Sequence, residues 1–169
     1  MTQADCLACD VNAGRIQVPG GFIHRDDKWV VDHIVGMKPG EPIPLKGFLI
    51  ICPSRHVERI DELTPWEMSA FSTLLRDVTR AVGLTLKPQK IYVCSFGEAV
   101  KHVHWYVIPR YAEMPASGID VLDGIFREKR WTCAWEDAEK VAGRIKTKLR
   151  RLIMVRQGET GCGPFDGGL

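Results

Sequence analysis

The sequence lacks a long hydrophobic run, although 45% of its 169 residues are hydrophobic. A helix needs about 20 consecutive apolar residues to cross a bilayer, so the sequence predicts no membrane span. The N-terminal stretch MTQADCLACD also lacks the apolar segment of a secretory signal. We therefore expect a cytoplasmic protein that makes no membrane contact.

The sequence also lacks an excess of charge of one sign. Its 23 basic and 21 acidic residues leave a formal net charge of +2, which is too small to indicate a nucleic-acid partner. Only the segment 140–156 is notably basic, and a basic helix usually presents such residues to water. There is no internal repeat, and the one low-complexity tract is the C-terminal GETGCGPFDGGL. These absences leave an ordinary globular domain.

Short apolar runs between turn residues predict a sheet of about five strands. The predicted strands cover residues 21–25, 28–33, 48–53, 90–96 and 101–108. Pro109 is expected to end the last of them, because proline has no N–H for a ladder.

The helix signals are strongest after the third strand. Thr64, Pro65 and Glu67 carry the signature of a helix start, and Gly83 is predicted to end that helix. A second helix is predicted over about 135–154. Hairpin-like strand pairs around one long helix indicate an antiparallel α+β fold rather than a doubly wound parallel sheet.

Two histidines stand at alternate positions in the run KHVHWYVIPR. Side chains alternate along a strand, so His102, His104 and Tyr106 are predicted to share one face. Neighbours on that face lie about 7 Å apart, so the two imidazoles fit two adjacent sites better than one metal ion. The alternative is a pair of hydrogen-bonded histidines without a chemical role.

The pair Cys6 and Cys9 forms a CxxC motif. A redox pair of the thioredoxin type follows a strand and opens a helix, and here no strand precedes the motif. A metal knuckle would need two further ligands, and the candidates are His24, His33, His56, His102 and His104. In a reducing compartment the six cysteines are thiols or metal ligands rather than disulfides.

Together these motifs resemble the histidine-triad (HIT) family of nucleotide hydrolases and transferases. The resemblance covers residues 6–111: CxxC, then GFLIICPSRHVERIDEL, the helix, and GEAVKHVHWYVIPRY. It implies a HIT-like antiparallel sheet of about five strands with one long helix and a C-terminal helix. It also implies a homodimer that binds a nucleotide or a nucleoside phosphate derivative.

The resemblance assigns roles to particular residues. It implies a structural zinc held by Cys6, Cys9, His56 and His102. It implies that His104 is the nucleophile, which attacks the α-phosphorus of a nucleotide and forms a covalent nucleotidyl-histidine intermediate. By the same resemblance, His24 and His33 are surface or packing residues.

The chain departs from the family pattern around the predicted nucleophile. Tyr106 stands where the family has its third histidine, and a phenol can donate one hydrogen bond but cannot carry positive charge. Glu98 and Ala99 stand where the family has glutamine and serine. We include Tyr106 and Glu98 in the predicted catalytic group and Ala99 and Arg110 in the substrate-binding group, although Arg110 is equally well explained as a solvated arginine.

These departures leave two functional readings and a weaker third. The first is an enzyme with an altered leaving group or substrate, and the second is a domain that binds a nucleotide or a protein without turnover. A zinc-stabilised scaffold is the third. The predicted organisation is a HIT-like domain over 1–111, a helical extension packed on it over 112–156, and a flexible tail over 157–169. Trp131 and Trp135 are interpreted as core residues rather than a cap on a base.

Overall fold

The computed structural model describes residues 6–36 and 41–159, which form an α+β fold. Five strands make one sheet: β1 His24–Arg25, β2 Trp29–His33, β3 Leu49–Pro53, β4 Lys90–Cys94 and β5 Trp105–Arg110. Their order across the sheet is β1-β2-β3-β5-β4, and neighbouring strands are antiparallel. The predicted fold class is confirmed.

The described residues also form four helices, which are α1 Leu7–Asn12, α2 Pro65–Leu86, α3 Gly118–Phe126 and α4 Trp135–Glu159. None of these helices is long and apolar enough to cross a membrane. The sequence patterns predict α2 and α4 but not α1 and α3. The first of the missed helices has only six residues, too few for a helical period to be visible.

The sheet separates two apolar cores. On one face, α2 and α4 pack against the strands, and Val103, Trp105 and Val107 belong to this core. On the other face, Val121 and Ile125 of α3 contact a second core. Because side chains alternate along a strand, the face that carries Tyr106 and Ile108 is the one that α3 covers.

Helix α2 begins at its predicted residues and ends later than predicted. The Thr64 hydroxyl accepts a hydrogen bond from the Glu67 N–H, and the Glu67 carboxylate accepts one from the Thr64 N–H at 2.7 Å. The predicted stop at Gly83 is wrong, because this glycine lies inside the helix. The helix instead ends at Leu86. The capping residue Lys87 has a left-handed φ of 49° and precedes Pro88, a residue that cannot continue the helix.

The predicted start of β5 is wrong, and the reason lies in its neighbour. Ile51 of β3 pairs with Trp105. If the same antiparallel register continued by two residues, Pro53 would pair with Val103. Proline has no N–H to donate, and the ladder therefore stops. The Val103 N–H donates to the carbonyl of Val57 at 2.7 Å instead, and residues 101–104 run as an irregular segment.

The predicted end of β5 is also wrong. Pro109 stays within the strand and pairs with Ile91 of β4. The ladder between β5 and β3 stops at Val107. No carbonyl of β3 therefore requires an N–H from position 109, and the missing N–H of proline leaves no ladder hydrogen bond unmade. This placement agrees with the rule that proline in sheets lies where one edge is free.

The C-terminal helix is part of the main core. Helix α4 starts at Trp135, as predicted, and continues past the predicted end at Met154. Ile145 and Leu149 are fully buried against the sheet and α2. The predicted flexible tail 157–169 lies almost entirely outside the described residues, and its first three residues belong to α4.

Candidate functional site

Four side chains capable of holding a metal ion meet between α1 and the segment before β5. They are Cys6, Cys9, His56 and His102, and their ligand atoms all lie within 4.8 Å of one another. Cys6 directly precedes α1 and Cys9 lies within it, while His56 follows β3. The Sγ atoms lie 3.5 and 3.6 Å from Nδ1 of His102, and Cys9 Sγ lies 3.3 Å from Nδ1 of His56.

These distances fit a tetrahedral zinc ion. Zinc binds thiolate sulfur at about 2.3 Å and imidazole nitrogen at about 2.0 Å, so the sulfur–nitrogen edge of a tetrahedron is about 3.5 Å. Two sulfurs and two nitrogens also make a closed set of four ligands, as in structural rather than catalytic zinc sites. The donor set therefore suits a structural zinc.

Outer hydrogen bonds orient both imidazoles of this cluster. Nε2–H of His102 donates to the carbonyl of Pro53 at 3.2 Å, and Asn12 of α1 donates to the same oxygen at 3.0 Å. Nε2–H of His56 donates to the Glu58 carboxylate at 3.4 Å. Since both Nε2 atoms carry the proton, each neutral ring turns its Nδ1 lone pair toward the sulfurs, which is the arrangement a metal requires.

The protonation states of the cluster are coupled to metal binding. Burial lowers the pKa of His102 to about 4, so the ring is a neutral ligand at physiological pH. Burial and the neighbouring Cys6 raise the pKa of Cys9 to about 11. The Cys9 thiol therefore stays protonated without a cation, and binding of a metal must displace its proton.

His104 lies next to this cluster and points away from it. Its Nδ1–H donates to the carbonyl of His102 at 2.7 Å. A carbonyl oxygen can only accept, so the neutral ring has its lone pair on Nε2, and Nε2 has no hydrogen-bond partner among the described residues. The ring is buried, with 6% of the residue exposed, but it lines a cavity.

That cavity, the His104 cavity, lies between α1 and the sheet. Its lining consists mainly of apolar side chains, among them Leu7, Ala8 and Val11 of α1. Its volume is about 60 Å³, which leaves room for a small group beside Nε2 rather than for a whole nucleotide. Helix α1 thus links the two sites, since it carries Cys9 on one side and this wall on the other.

Tyr106 forms part of the same cavity and begins an aromatic cluster. Its ring centroid lies 4.8 Å from that of His104, 5.1 Å from Phe48 and 5.7 Å from Phe126. Burial, followed by the charges of Cys94 and Glu98, raises the pKa of Tyr106 to about 12. The phenol therefore keeps its proton and can donate one hydrogen bond into the cavity.

Sequence reasoning missed a carboxyl group in the His104 cavity. Asp32 lies in the middle of β2 and lines the cavity, and only 4% of the residue is exposed. Burial raises the pKa of Asp32 to about 8, so the group is mostly protonated at neutral pH. The available signal was an acid directly after the apolar run WVV of β2, because a charge in a buried strand is costly unless it is paired.

The other predicted site residues divide by position. Glu98 is exposed and close enough to influence the Tyr106 phenol, and Ala99 lines a second cavity beside Tyr106. Arg110 is not brought to His104: it lies six residues further along the chain, about 20 Å for an extended strand, and donates to the Pro115 carbonyl at 3.4 Å. Among the described residues that line the His104 cavity, none is a lysine or an arginine.

The remaining histidines have structural partners. His33 is fully buried, and its Nε2 accepts from the Gly47 N–H at 2.8 Å while its Nδ1–H donates to the Ile34 carbonyl. His24 is bonded to Asp26 at the surface. Trp131 packs against the α3 core, and Trp135 is 38% exposed; neither is among the residues that line the His104 cavity.

Comparisons with known proteins agree on the family. A family model described as the HIT domain matches residues 22–113, which is 92 of the 169 residues. A HIT-like protein of Mycoplasma genitalium is 23% identical over 125 residues, 71% of this chain and 83% of that protein.

Solved structures share the fold at low sequence identity. A zinc-bound histidine triad family protein from Mycobacterium smegmatis has a TM-score of 0.63 at 14% identity and covers 90% of this chain and 99% of its own. A hypothetical histidine triad nucleotide-binding protein from Sulfolobus tokodaii has a TM-score of 0.64 at 17% identity, with 87% and 93% coverage. The match of the family model to more than half of the chain is decisive: the chain belongs to the HIT-domain family.

Proposed function

We propose that the protein is a nucleotide hydrolase or nucleotidyl transferase that acts at the α-phosphate through a covalent intermediate on His104. One observation carries this proposal. The hydrogen bond from Nδ1–H of His104 to the His102 carbonyl, 2.7 Å long, fixes the neutral tautomer that leaves the Nε2 lone pair facing a cavity. A nucleophilic imidazole needs this arrangement.

The proposed reaction has two steps. In the first, the Nε2 lone pair forms a bond to the α-phosphorus, and the bond from phosphorus to the leaving group breaks. The leaving group departs with that electron pair and takes a proton from water. In the second, a water oxygen bonds to phosphorus, the P–N electrons return to Nε2, and the proton of that water passes to solvent. The products are a nucleoside monophosphate and the protonated leaving group.

The groups around His104 have supporting roles in this proposal. The carbonyl of His102 stabilises the positive charge that the ring gains when Nε2 bonds to phosphorus. Tyr106 donates its phenolic hydrogen to a phosphate oxygen. Asp32, mostly protonated, can donate to and accept from a hydroxyl group of the bound nucleoside.

The cysteine–histidine cluster has a structural role in this proposal. Cys6, Cys9, His56 and His102 would hold zinc, which ties α1 to the segment that carries the nucleophile. Because the His102 carbonyl orients His104, a displacement of His102 would also misalign the reacting nitrogen. The metal contributes folding free energy here and takes no part in the bond changes.

The test is detection of the covalent intermediate. The wild type is mixed with the benzylamidates of AMP, GMP, CMP and UMP, quenched in alkali, and examined by intact-mass spectrometry. We expect a mass increase of one nucleotidyl group in the wild type and none in His104→Ala, which keeps its zinc content and melting temperature. The matched control His24→Ala retains the adduct. An adduct on His104→Ala, or none on the wild type with all four probes, contradicts the proposal.

A second candidate is a nucleotide-binding or protein-interaction domain that keeps the fold and the metal without turnover. The observation that favours it is the absence of lysine and arginine from the described part of the His104 cavity lining, since phosphoryl transfer relies on stabilisation of developing negative charge. Binding of AMP without adduct formation, measured by calorimetry, would select this candidate.

We further propose a cytoplasmic homodimer that joins two sheets through β4. This strand has β5 as its one neighbour in the described sheet, and Val93 on it is 41% exposed. An unpaired edge with an exposed apolar residue is a template for another strand. Light scattering should give twice the mass of the chain for the wild type and the mass of one chain for Val93→Lys.

A further inference from the structure

A second cavity adjoins the His104 cavity on the far side of Tyr106. The two cavities share Ile34, Val35 and Tyr106 in their walls. The second cavity has a volume of about 210 Å³, below the range of about 300–1,000 Å³ that is typical for a complete drug-sized ligand. It therefore fits a fragment of a substrate that continues past Tyr106.

Aromatic rings form one wall of this second cavity. Tyr106 of β5 and Phe126 at the end of α3 both line it, and their centroids lie 5.7 Å apart. Phe96 extends the cluster, at 6.1 Å from Tyr106 and 6.3 Å from Phe126. Phe96 and Phe126 are 49% and 42% exposed, so a flat ring placed against them would cover apolar surface that now faces water.

The charges around the second cavity disfavour an anion. Its charged lining residues are Glu41 and Lys129, whose side chains pair with each other at 3.5 Å. Glu98 is exposed and directly precedes Ala99, which lines the cavity, so its carboxylate adds negative charge beside this wall. A phosphate chain in this cavity would find no unpaired cation among the described lining residues and would lie near the like charge of Glu98.

We propose that this second cavity is the leaving-group subsite, and that it takes a flat, uncharged ring and excludes an anionic or polyphosphate leaving group. Phe126, which contributes the stacking wall, lies outside the residues that the HIT model matches. Phe126 and Glu98 are therefore the specificity-determining residues of the subsite. The inference rests on the proposed function, because it presumes that phosphorus is attacked at His104.

The chemistry follows the reaction proposed above with an amine as the leaving group. The P–N bond to the amine breaks, its electron pair stays on the amine nitrogen, and a proton from water completes the free amine. A second water then releases the nucleoside monophosphate from His104. The overall change is a nucleoside phosphoramidate and water going to a nucleoside monophosphate and an amine, with no oxidant or cofactor.

The test compares AMP amidates that differ in one property at a time. Benzylamine and 4-carboxybenzylamine are close in basicity and differ in charge, while methylamine lacks the ring. We expect kcat/KM for the benzylamidate to exceed that for the 4-carboxybenzylamidate by about tenfold or more. ADP, whose leaving group is phosphate, should react more slowly than either ring substrate.

Two variants connect these differences to residues. Phe126→Ala should lower the ratio of kcat/KM for the benzylamidate to that for the methylamidate about tenfold. Glu98→Gln should raise the ratio of kcat/KM for the 4-carboxybenzylamidate to that for the benzylamidate severalfold. Phe22→Ala is the matched control, because its ring contacts Arg25 at the surface and does not line either cavity.

The outcomes separate this inference from the proposed function. Adduct formation on His104 with equal rates for the charged and uncharged ring substrates overturns the subsite and leaves the nucleophile in place. Equal losses of the benzylamidate and methylamidate rates in Phe126→Ala also overturn it, because the ring against Phe126 would then be the base. If no probe forms an adduct, calorimetric affinities of the same probes decide: the benzylamidate must bind at least fivefold more tightly than the 4-carboxybenzylamidate, and equal affinities overturn the subsite.

Discussion

The cysteine–histidine cluster and the His104 cavity lie on either side of α1, and they differ in how closely they follow the HIT pattern. All four positions of the cluster carry the residue that the family resemblance implies. Around His104, three neighbouring positions differ, at Tyr106, Glu98 and Ala99. A tetrahedral metal accepts few ligand types, whereas a cavity can exchange charge for aromatic surface and keep its nucleophile. The cysteine–histidine cluster therefore limits which residue types can occupy its positions, whereas the His104 cavity mainly requires side chains that keep its shape.

The sharpest way to break this comparison is to remove one ligand from the cluster. Binding of structural zinc contributes about 10–16 kcal/mol of apparent folding free energy in zinc-finger peptides, so the loss of one of four ligands in Cys9→Ser should lower the unfolding free energy by roughly 3–5 kcal/mol. Denaturant titration measures the loss of unfolding free energy, and inductively coupled plasma mass spectrometry measures bound zinc. Because the pKa of Cys9 is raised to about 11 by burial and by Cys6, protons compete with the metal and zinc affinity should fall as pH falls.

Its control is Cys133→Ser, which changes a half-buried thiol outside the cluster. This variant should keep one zinc per chain and stay within about 1 kcal/mol of the wild type. A similar loss of stability in both variants, with zinc retained in both, would mean that the cluster does not anchor the fold.

In the His104 cavity, replacement of the buried acid Asp32 should raise the unfolding free energy, whereas Cys9→Ser lowers it. Burial raises the folded pKa of Asp32 to about 8 from 3.8, so the folded chain binds one more proton than the unfolded chain between these values. Stability therefore falls as pH rises through that window. Asp32→Asn removes this titration and should stabilise the protein by about 2–4 kcal/mol at pH 8, with little difference near pH 4.

Urea titrations at pH 4, 6 and 8 measure this trend, and Asp26→Asn serves as the control. Asp26 is an exposed acid whose pKa is lowered by hydrogen bonds from the backbone of Trp29 and Lys28 despite its partial burial. Its replacement should destabilise the protein as pH rises, the reverse of the Asp32 effect. A constant Asp32→Asn difference across pH would show that the carboxyl does not titrate in the folded state as stated.

Much of the fold was predictable because it depends on local signals. The capping residues Thr64 and Glu67 set the start of α2, and the period of apolar residues identified α2 and α4. The four residues of the cysteine–histidine cluster were implied by the resemblance to the HIT family, and their potential ligand atoms do lie within 4.8 Å. Zinc binding itself stays a prediction.

The parts that failed depend on contacts between distant segments. The start of β5 is set by Pro53 on another strand, so no signal within residues 101–108 could reveal it. Asp32 and Phe126 reach the cavities only through the pairing of β2 with β3 and the packing of α3 on the sheet. Arg110 shows the opposite error. It is an even number of residues from His104, which suggested that both side chains lie on one face and close together, but the length of β5 separates them.

A smaller effect is expected near the cluster, where α2 begins. Arg55 donates to both carboxylate oxygens of Glu67 at 2.7 and 2.9 Å, and this contact, with the hydrogen bonds from Thr64, lowers the pKa of Glu67 to about 2 despite partial desolvation. Glu67→Gln should cost about 1–2 kcal/mol, since the half-exposed arginine is screened by water.

The pH dependence follows from the sign of this shift. The depressed pKa means that the stabilisation is complete above pH 4.5, the ordinary value, and disappears as pH falls toward 2. Thermal unfolding at pH 7 and pH 2.5 measures both limits, and Glu62→Gln, which changes an exposed acid nearby, is the control. A loss that is equal at the two pH values would assign the effect to packing rather than to charge.

The smallest change in stability, and the finest test of the comparison, concerns Tyr106. Tyr106→Phe keeps the ring contacts with His104, Phe48 and Phe126 and removes a hydroxyl that has no hydrogen-bond partner among the described residues, so the unfolding free energy should change by less than about 0.5 kcal/mol. If the phenol donates to the phosphate in the reaction, kcat/KM should nevertheless fall about tenfold or more, the value of one hydrogen bond to a charged acceptor.

Tyr106→His completes this test, because it restores the residue that the family resemblance implies at this position. An imidazole can carry positive charge beside a phosphate, so we expect faster reaction of substrates with anionic leaving groups and a smaller preference for the uncharged ring. The ratio of kcat/KM for ADP to that for AMP benzylamidate measures this change. A ratio that stays at the wild-type value would mean that Tyr106 does not set the preference for an uncharged leaving group. That preference would then be assigned to Glu98.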